Sequence, residues 1–167
     1  TVEFSDDSEL EKIGENSFQS CSQIQSIKIP KKVREILDGA FSLCNNLNNV
    51  SIEEDSELEI IHKSAFPSIP SFFIPPKLKE VGKYWLHDMA NLNTITISPQ
   101  NKSFAIVDEK MLVKKSNPEN DIYDTICFVF RDTENLTIPS YIKKIDAYSF
   151  SNCDKLESVE FSEDSQL

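Results

Sequence analysis

Glycine is scarce in this chain. Only three occur in 167 residues, so a fold built on many tight glycine turns is disfavoured. Positive charge is also short, with 17 Lys and Arg against 28 Asp and Glu and a net charge of −11. A surface of that sign repels phosphate backbones, which argues against nucleic acid as a partner. It disfavours anionic membranes for the same reason. No apolar run approaches the roughly 20 residues that span a bilayer, so direct membrane insertion is not expected. The chain opens on Thr1 rather than Met, and any targeting or anchoring segment is expected to lie outside it.

Chemistry-bearing groupings are equally sparse. His62 and His87 are the two histidines, and each is expected at the surface or partly packed in a short helix. Neither forms a recognisable Ser-His-Asp or Cys-His grouping. A phosphate-binding glycine loop is missing, as is any Cys or His spacing suited to zinc. The sequence therefore predicts no catalytic residue, no cofactor and no metal, and reading the chain as an enzyme has no supporting constellation.

What the chain does have is phenylalanine, 11 residues of it, within 39% hydrophobic and 27% charged residues. That balance suits a packed domain rather than a disordered one. The phenylalanines mark a repeat of about 23 residues. One copy reads Ile13, Phe18, Cys21, Ile24, Ile27, Ile29, Pro30, and the next reads Ile36, Phe41, Cys44, Leu47, Val50, Ile52. A later copy reads Ile145, Phe150, Cys153, Leu156, Val159, Phe161. Two looser copies lie between them. One holds Ile61 and Phe66 and is about three residues short before Phe72 and Ile74. The other holds Val81, Leu86, Met89, Leu92, Ile95 and Ile97.

Within a unit the period changes. Ile27-Lys28-Ile29 and Val50-Ser51-Ile52 alternate as a half-buried strand does. Pro30, Pro75 and Pro139 follow and stop it. Phe and Cys three apart, as in Phe41 and Cys44, share a helical face, so a short helix or helical turn is predicted there. One such unit cannot bury its apolar face alone, so neighbours must stack. The expected fold is a single α/β solenoid over residues 1–167. It would carry parallel strands on a concave face, short helices or turns opposite, and a column of Phe18, Phe41, Phe66 and Phe150 inside.

Residues 98–138 interrupt the rhythm. Phe104–Val107, Met111–Val113 and Ile126–Phe130 read as strands around a polar turn at 114–121, which predicts an irregular β-rich insertion within one coil. The ends also echo each other. Residues 2–10 (Val-Glu-Phe-Ser-Asp-Asp-Ser-Glu-Leu) return at 159–167 as Val-Glu-Phe-Ser-Glu-Asp-Ser-Gln-Leu. Neither end has the atypical polar character of a solenoid cap. The chain is therefore expected to come from a longer array, or to associate end to end.

The unit I-G-x-x-x-F-x-x-C-x-x-L-x-x-I-x-I-P, fullest from Ile13-Gly14 to Pro30, resembles the BspA-like leucine-rich repeats of host-associated bacteria and protists. The resemblance covers nearly the whole chain. It departs at Ile69 and Met89 in the Cys position and at Leu86 in the Phe position. It implies a non-enzymatic protein, on the cell surface or secreted, that binds host extracellular-matrix or cell-surface proteins. The alternative with the same surface is a cytoplasmic interaction scaffold. The family has no catalytic residues to transfer.

Other features have bland readings. Cys21, Cys44 and Cys153 recur at one repeat position, as small buried apolar groups would, and Cys127 lies in an apolar strand. Disulfides between neighbouring units are not expected, because packed helices sit about 8–10 Å apart. The acidic turns Asp6-Asp7, Glu54-Asp55 and Glu163-Asp164 suit a cation stripe or, more simply, a solvated edge. Asn49, Asn101 and Asn135 begin N-x-Ser/Thr sequons. The candidate protein-binding surface consists of strand residues pointing outward between buried ones. These are Glu3, Ser26, Lys28, Asn49, Ser51, Ser71, Phe73, Thr94, Thr96, Thr137, Ser158 and Glu160.

Overall fold

A computed structural model describes residues 2–82, 85–86 and 89–165. His87 lies outside the described residues. The chain divides into two compact units, residues 1–102 and 103–167.

Among its described residues the first unit contains eight short strands. They are β1 (Lys12–Ile13), β2 (Ser26–Lys28), β3 (Glu35–Ile36), β4 (Asn49–Ser51), β5 (Ile60–Ile61), β6 (Ser71–Ile74), β7 (Glu80–Val81) and β8 (Thr94–Ile97). Odd and even strands form separate parallel stacks. The order β1-β3-β5-β7 builds one sheet, while β2 pairs with β4 and β6 with β8. Each coil thus contributes one strand to each stack. Register follows the repeat, with Ile13 opposite Ile36, Ile36 opposite Ile61, and Ile61 opposite Val81. After three of the longer strands a proline carbonyl accepts an amide three residues on, as in Val33 N–H to Pro30 O (3.1 Å) and Leu78 N–H to Pro75 O (3.3 Å). That turn drives Val33 and Leu78 into the core, where both are fully buried.

The short helices expected at the Phe-x-x-Cys segments are not present among the described residues, and turns take their place. The amides explain why. Asn16, Phe18 and Ser20 donate across to Asp38, Ala40 and Ser42 of the next coil at 2.8–2.9 Å. The intervening Ser17, Gln19 and Cys21 donate back three residues within their own coil, to Gly14, Asn16 and Phe18. The next coil repeats the scheme, with Gly39 and Phe41 reaching Lys63 and Ala65. A helix would direct its amides to the carbonyl four residues back. Positive φ at Asn16 (52°), Ser20 (61°), Gly39 (62°) and Leu43 (60°) also breaks helical continuity. The α/β expectation is therefore corrected to a β-solenoid of strands and turns.

Because the turns are laddered to each other, coils approach more closely than helices can. Phe18 and Phe41 stack with ring centroids 5.1 Å apart, Phe41 and Phe66 at 5.4 Å. The premise used against neighbouring-coil disulfides, a helix-sized separation, does not hold here, although all four cysteines are free thiols. Beyond Phe66 the column bends through Phe72 (5.8 Å) to Trp85 (5.4 Å), so Trp85 supplies the ring that Leu86 lacks.

The second unit contains β9 (Phe104–Val107), β10 (Met111–Lys114), β11 (Thr125–Val129), β12 (Asn135–Ile138), β13 (Lys144–Ile145) and β14 (Ser158–Phe161). β9, β10 and β11 run antiparallel in succession, with a bulge between Leu112 and Val113. The β9–β10 loop covers residues 108–110, with positive φ at Asp108 and Glu109 and the Lys110 amide donating to Val107 O at 3.0 Å, so the two left-handed residues form the centre of the hairpin turn. β11 then pairs in parallel with β13, and β12 with β14. Its core gathers Met111, Val113, Ile126, Val129, Leu136, Ile138 and Ile142. Phe150 is half-buried against this cluster, so its role belongs to that core and the shared aromatic column is confined to the first unit.

Candidate functional site

The strand face is built by alternation. In β2 and β4, Ile27 and Val50 face the core, while Ser26 stands beside Asn49 and Lys28 beside Ser51 on the other side. In β6 and β8, Phe72 and Ile95 go inward, leaving Ser71 beside Thr94 and Phe73 beside Thr96. β4 and β6 lie side by side. Asn49, Ser51, Ser71, Thr94 and Thr96 are exposed. Phe73 is half-buried, so the shortened coil keeps its outward register and presents part of a ring. Glu3 is exposed at the edge, next to Val2, which bridges to Ile27. The remaining candidates belong to the second unit. There Asn135 stands beside Ser158, and Thr137 beside Glu160; Thr137 and Glu160 are exposed and Ser158 half-buried. Ser158 spends its hydroxyl on Asn135 Oδ1 at 2.6 Å.

Charge on the first unit's face is paired across coils. Lys28 Nζ lies 2.9 Å from Glu53 and 3.7 Å from Asp6. The Glu53 hydrogen bond and charge raise its pKa above the usual lysine value. Lys31 meets Asp55 at 2.5 Å, Lys77 meets Glu57 at 2.6 Å, and Lys32 contacts Glu9. Acidic turn residues Asp6 and Asp55 are thus engaged by lysines rather than aligned as an open cation stripe. Phe4, Ser5, Asp6, Lys28, Pro30, Lys31 and Glu53 line a hollow of about 270 Å³.

Other singled-out residues serve the framework. His62 Nδ1 is 3.8 Å from Asp38, but the same carboxylate accepts the Lys63 amide at 3.1 Å, so Asp38 holds a turn. Asn101 is buried, and its Nδ2 donates to Pro75 O (2.6 Å) and Leu78 O (2.9 Å). The nitrogen a glycan would need is therefore engaged in the core, whereas Asn49 and Asn135 are exposed. Cys44 is buried and donates to Phe18 O at 3.0 Å, and Cys127 is buried too. Cys21, expected inside, is exposed, and Cys153 is half-exposed. Among the described residues no group of three or more His, Cys, Asp or Glu could hold a metal ion.

The sequence reading missed Arg131. Its guanidinium lies 4.2 Å from the Phe128 ring centroid and donates to the Val129 and Ser149 carbonyls at 3.3 Å. It pins β11 to the following coil, and nothing in the repeat pattern marks it.

Six copies of the BspA-type leucine-rich-repeat region match residues 1–109 and 121–166. The chain belongs to the BspA-type leucine-rich-repeat family. No curated protein matches it. Among solved structures it is similar to the pneumococcal vaccine antigen PcpA, with 26% identity and a TM-score of 0.82 over 97% of this chain and 39% of that one. It is also similar to a leucine-rich cell surface protein from Faecalibacterium prausnitzii, at 21% identity and TM-score 0.66 over 92% of this chain and 52% of that one. A leucine-rich-repeat protein from Eubacterium ventriosum shows 20% identity and TM-score 0.68 over 92% and 46%. The chain spans between 39% and 52% of these proteins' lengths. BspA-type repeats are a protein–protein interaction architecture typical of surface proteins.

Proposed function

We propose that the chain is an adhesion module that binds a host matrix or cell-surface protein through its strand face, and that it works at the cell surface or outside the cell. The observation that carries this is the paired outward surface of β2, β4, β6 and β8. Hydroxyl and amide side chains stand there on a laddered backbone around one partly exposed aromatic, Phe73. Such a surface pays little ordering cost on binding. Short polar side chains suit a broad, wet contact, with an aromatic as its anchor. The BspA-type repeats and the likeness to a leucine-rich cell surface protein support the location. Within this reading, residues 98–138 are an insertion in one coil of a single array.

The experiment is a pull-down from extracellular-matrix and cell-surface extracts, followed by binding measurements on the captured protein. A Ser51→Asp, Phe73→Asp, Thr96→Asp triple variant should lose binding at unchanged thermal stability. Binding that survives the triple change would remove the strand face from consideration and direct attention to residues 98–138.

A further inference from the structure

In the first unit, Asp55, Glu57 and Glu59 each meet a lysine of a neighbouring coil. The second unit gathers acidic residues without that pairing. The β9–β10 turn supplies Asp108 and Glu109, and the connection from β11 to β12 supplies Asp132 and Glu134. These residues line a hollow of about 340 Å³, at the small end of ligand-site volumes. All four are exposed, and among the described residues their carboxylates have no hydrogen bond or ion pair. Lys110 also lines the hollow, but its ammonium is engaged by the Asn135 carbonyl at 2.8 Å. That bond and the Phe130 amide on Lys110 O (2.9 Å) clamp the two loops together. Both loops are interior to the chain, and the coil that follows them is in place, with the Glu157 amide on Glu134 O at 2.7 Å. Thr133 lines the hollow as well. It is 5% exposed, and its amide donates to Phe130 O at 3.1 Å. Its hydroxyl has no hydrogen-bond partner among the described residues. A buried polar group left without a partner is costly. The hydroxyl is not one of the atoms sealed into the core, so it opens on the hollow, where a ligand would satisfy it.

We propose that this hollow binds a basic segment of a protein partner, seating an arginine side chain among the four carboxylates with its guanidinium donating to the Thr133 hydroxyl. Charge sets the sign of the ligand, because four carboxylates face one ammonium that is already engaged. The carboxylates do not converge closely enough to hold a metal ion, so the cation must be an extended one. A guanidinium presents five donors in a flat fork and can serve carboxylates and a hydroxyl acceptor together. A lysine ammonium, a compact point charge, matches that arrangement less well. The Tyr141 ring is 42% exposed. Burial first, and the Asp108 charge second, raise its hydroxyl pKa, which puts the ring near the same rim. An aromatic face there suits a guanidinium plane. The inference stands whether or not the strand face of the first unit binds a protein.

The probe is a capped Gly-Arg-Gly-Arg-Gly peptide, titrated up to about 1 mM into the whole chain at low salt and followed by amide chemical shifts. Shifts should concentrate at residues 108–110 and 132–135 and fade as salt is raised. The lysine counterpart should bind more weakly, and a Gly-Glu-Gly-Glu-Gly peptide should not bind. Asp132→Asn with Glu134→Gln should weaken binding of the arginine peptide about tenfold. Glu11→Gln with Glu54→Gln removes the same charge from exposed positions of the first unit and should leave binding unchanged. Thr133→Val keeps the side chain's shape and removes the hydroxyl, and it should weaken binding severalfold without lowering the melting temperature. If that variant folds poorly, the exposed Asp132 and Glu134 pair decides alone. Calcium chloride without peptide should leave the same amides unshifted. An arginine peptide that does not bind, shifts scattered over the whole acidic surface, or an equal loss in the Glu11 and Glu54 pair would each overturn the proposal. So would full binding by Thr133→Val, or a response to calcium and none to the peptide.

Discussion

The Phe41 and Phe66 rings stack 5.4 Å apart with planes 5° from parallel, and both are sealed from solvent. Phe41 also touches Phe18 on its other side at 5.1 Å. Removing the Phe41 ring therefore opens a cavity between two coils whose backbones are tied by hydrogen bonds and cannot collapse into it. Phe41→Ala should cost about 3–5 kcal/mol in urea denaturation. Phe18→Ala should cost clearly less, because Phe18 is half-exposed. A Phe41→Ala loss below about 1 kcal/mol would contradict the ring's interior position.

The chain's three glycines should respond differently to alanine. A Cβ at Gly82 would lie 2.5 Å from the Lys63 nitrogen and 2.7 Å from the His62 carbonyl carbon, both backbone atoms of the preceding coil. Neither can move without disturbing that coil, so Gly82→Ala should be the most damaging of the three. Gly39 has φ +62°, and its added Cβ would meet the Asn16 side chain. That side chain can swing away, leaving mainly the left-handed backbone penalty of about 1–2 kcal/mol. Gly14 has open space, with its nearest neighbour 3.9 Å away. Gly14→Ala should be neutral or stabilising by up to about 1 kcal/mol. Melting temperatures of the three variants, ranked in that order, test the close approach of the coils.

The stacking itself was legible in the sequence because equivalent side chains recur at equivalent phases. Ile13, Ile36 and Ile61 pair as the repeat requires, and Phe72 and Ile74 keep the inward register despite the shortened coil. The turn conformation was not legible. Phe and Cys three apart fit a helix as well as a tight turn, and nothing local marks Ser20 or Leu43 as left-handed. Whether their amides bond within the coil or across to its neighbour depends on the neighbour. Cys21 and Cys44 make the same point about burial: identical repeat positions differ because only one is covered on both sides. The outward strand residues were readable from alternation. Arg131 was not, since its partners are the Phe128 ring and two carbonyls.

Acid should weaken the second unit through two carboxylates. Burial pushes the Asp124 carboxyl up, but hydrogen bonds from the Ser116 amide (2.9 Å) and hydroxyl (2.6 Å) outweigh it and hold its pKa below the ordinary aspartate value. Burial likewise opposes Lys114 (2.5 Å) and Lys144 (2.7 Å) at Asp146, and again the net shift is downward. A carboxylate with a depressed folded pKa contributes stability above its unfolded pKa, about 3.9. That contribution is lost as pH falls through the folded value. Denaturation midpoints should therefore drop progressively below about pH 4. Asp124→Asn, with one acceptor oxygen for two Ser116 donors, should cost about 1–3 kcal/mol at neutral pH and flatten the acid limb. An unchanged acid limb in that variant would remove Asp124 from the account.

The four thiols should separate by reactivity. A thiol reacts as its thiolate, so both access and pKa matter. Cys127 is buried in β11, and burial pushes its pKa up to about 12. Its thiol also donates to Leu112 O at 3.3 Å. Burial raises Cys44 as well, and its proton is held by Phe18 O. Both should resist alkylation until the fold opens, at a rate that follows local unfolding. Cys21 is exposed at its turn and should label first. Cys153 is half-exposed, with Arg131 Nη1 at 3.5 Å from its sulfur, and should label between the two extremes. Mass spectrometry after brief alkylation at about pH 8, repeated in denaturant, reads all four at once. Rapid native labelling of Cys44 would mean that the neighbouring coils do not cover its turn. The laddered packing that replaces the expected helices would then be wrong at the position where the two readings differ most.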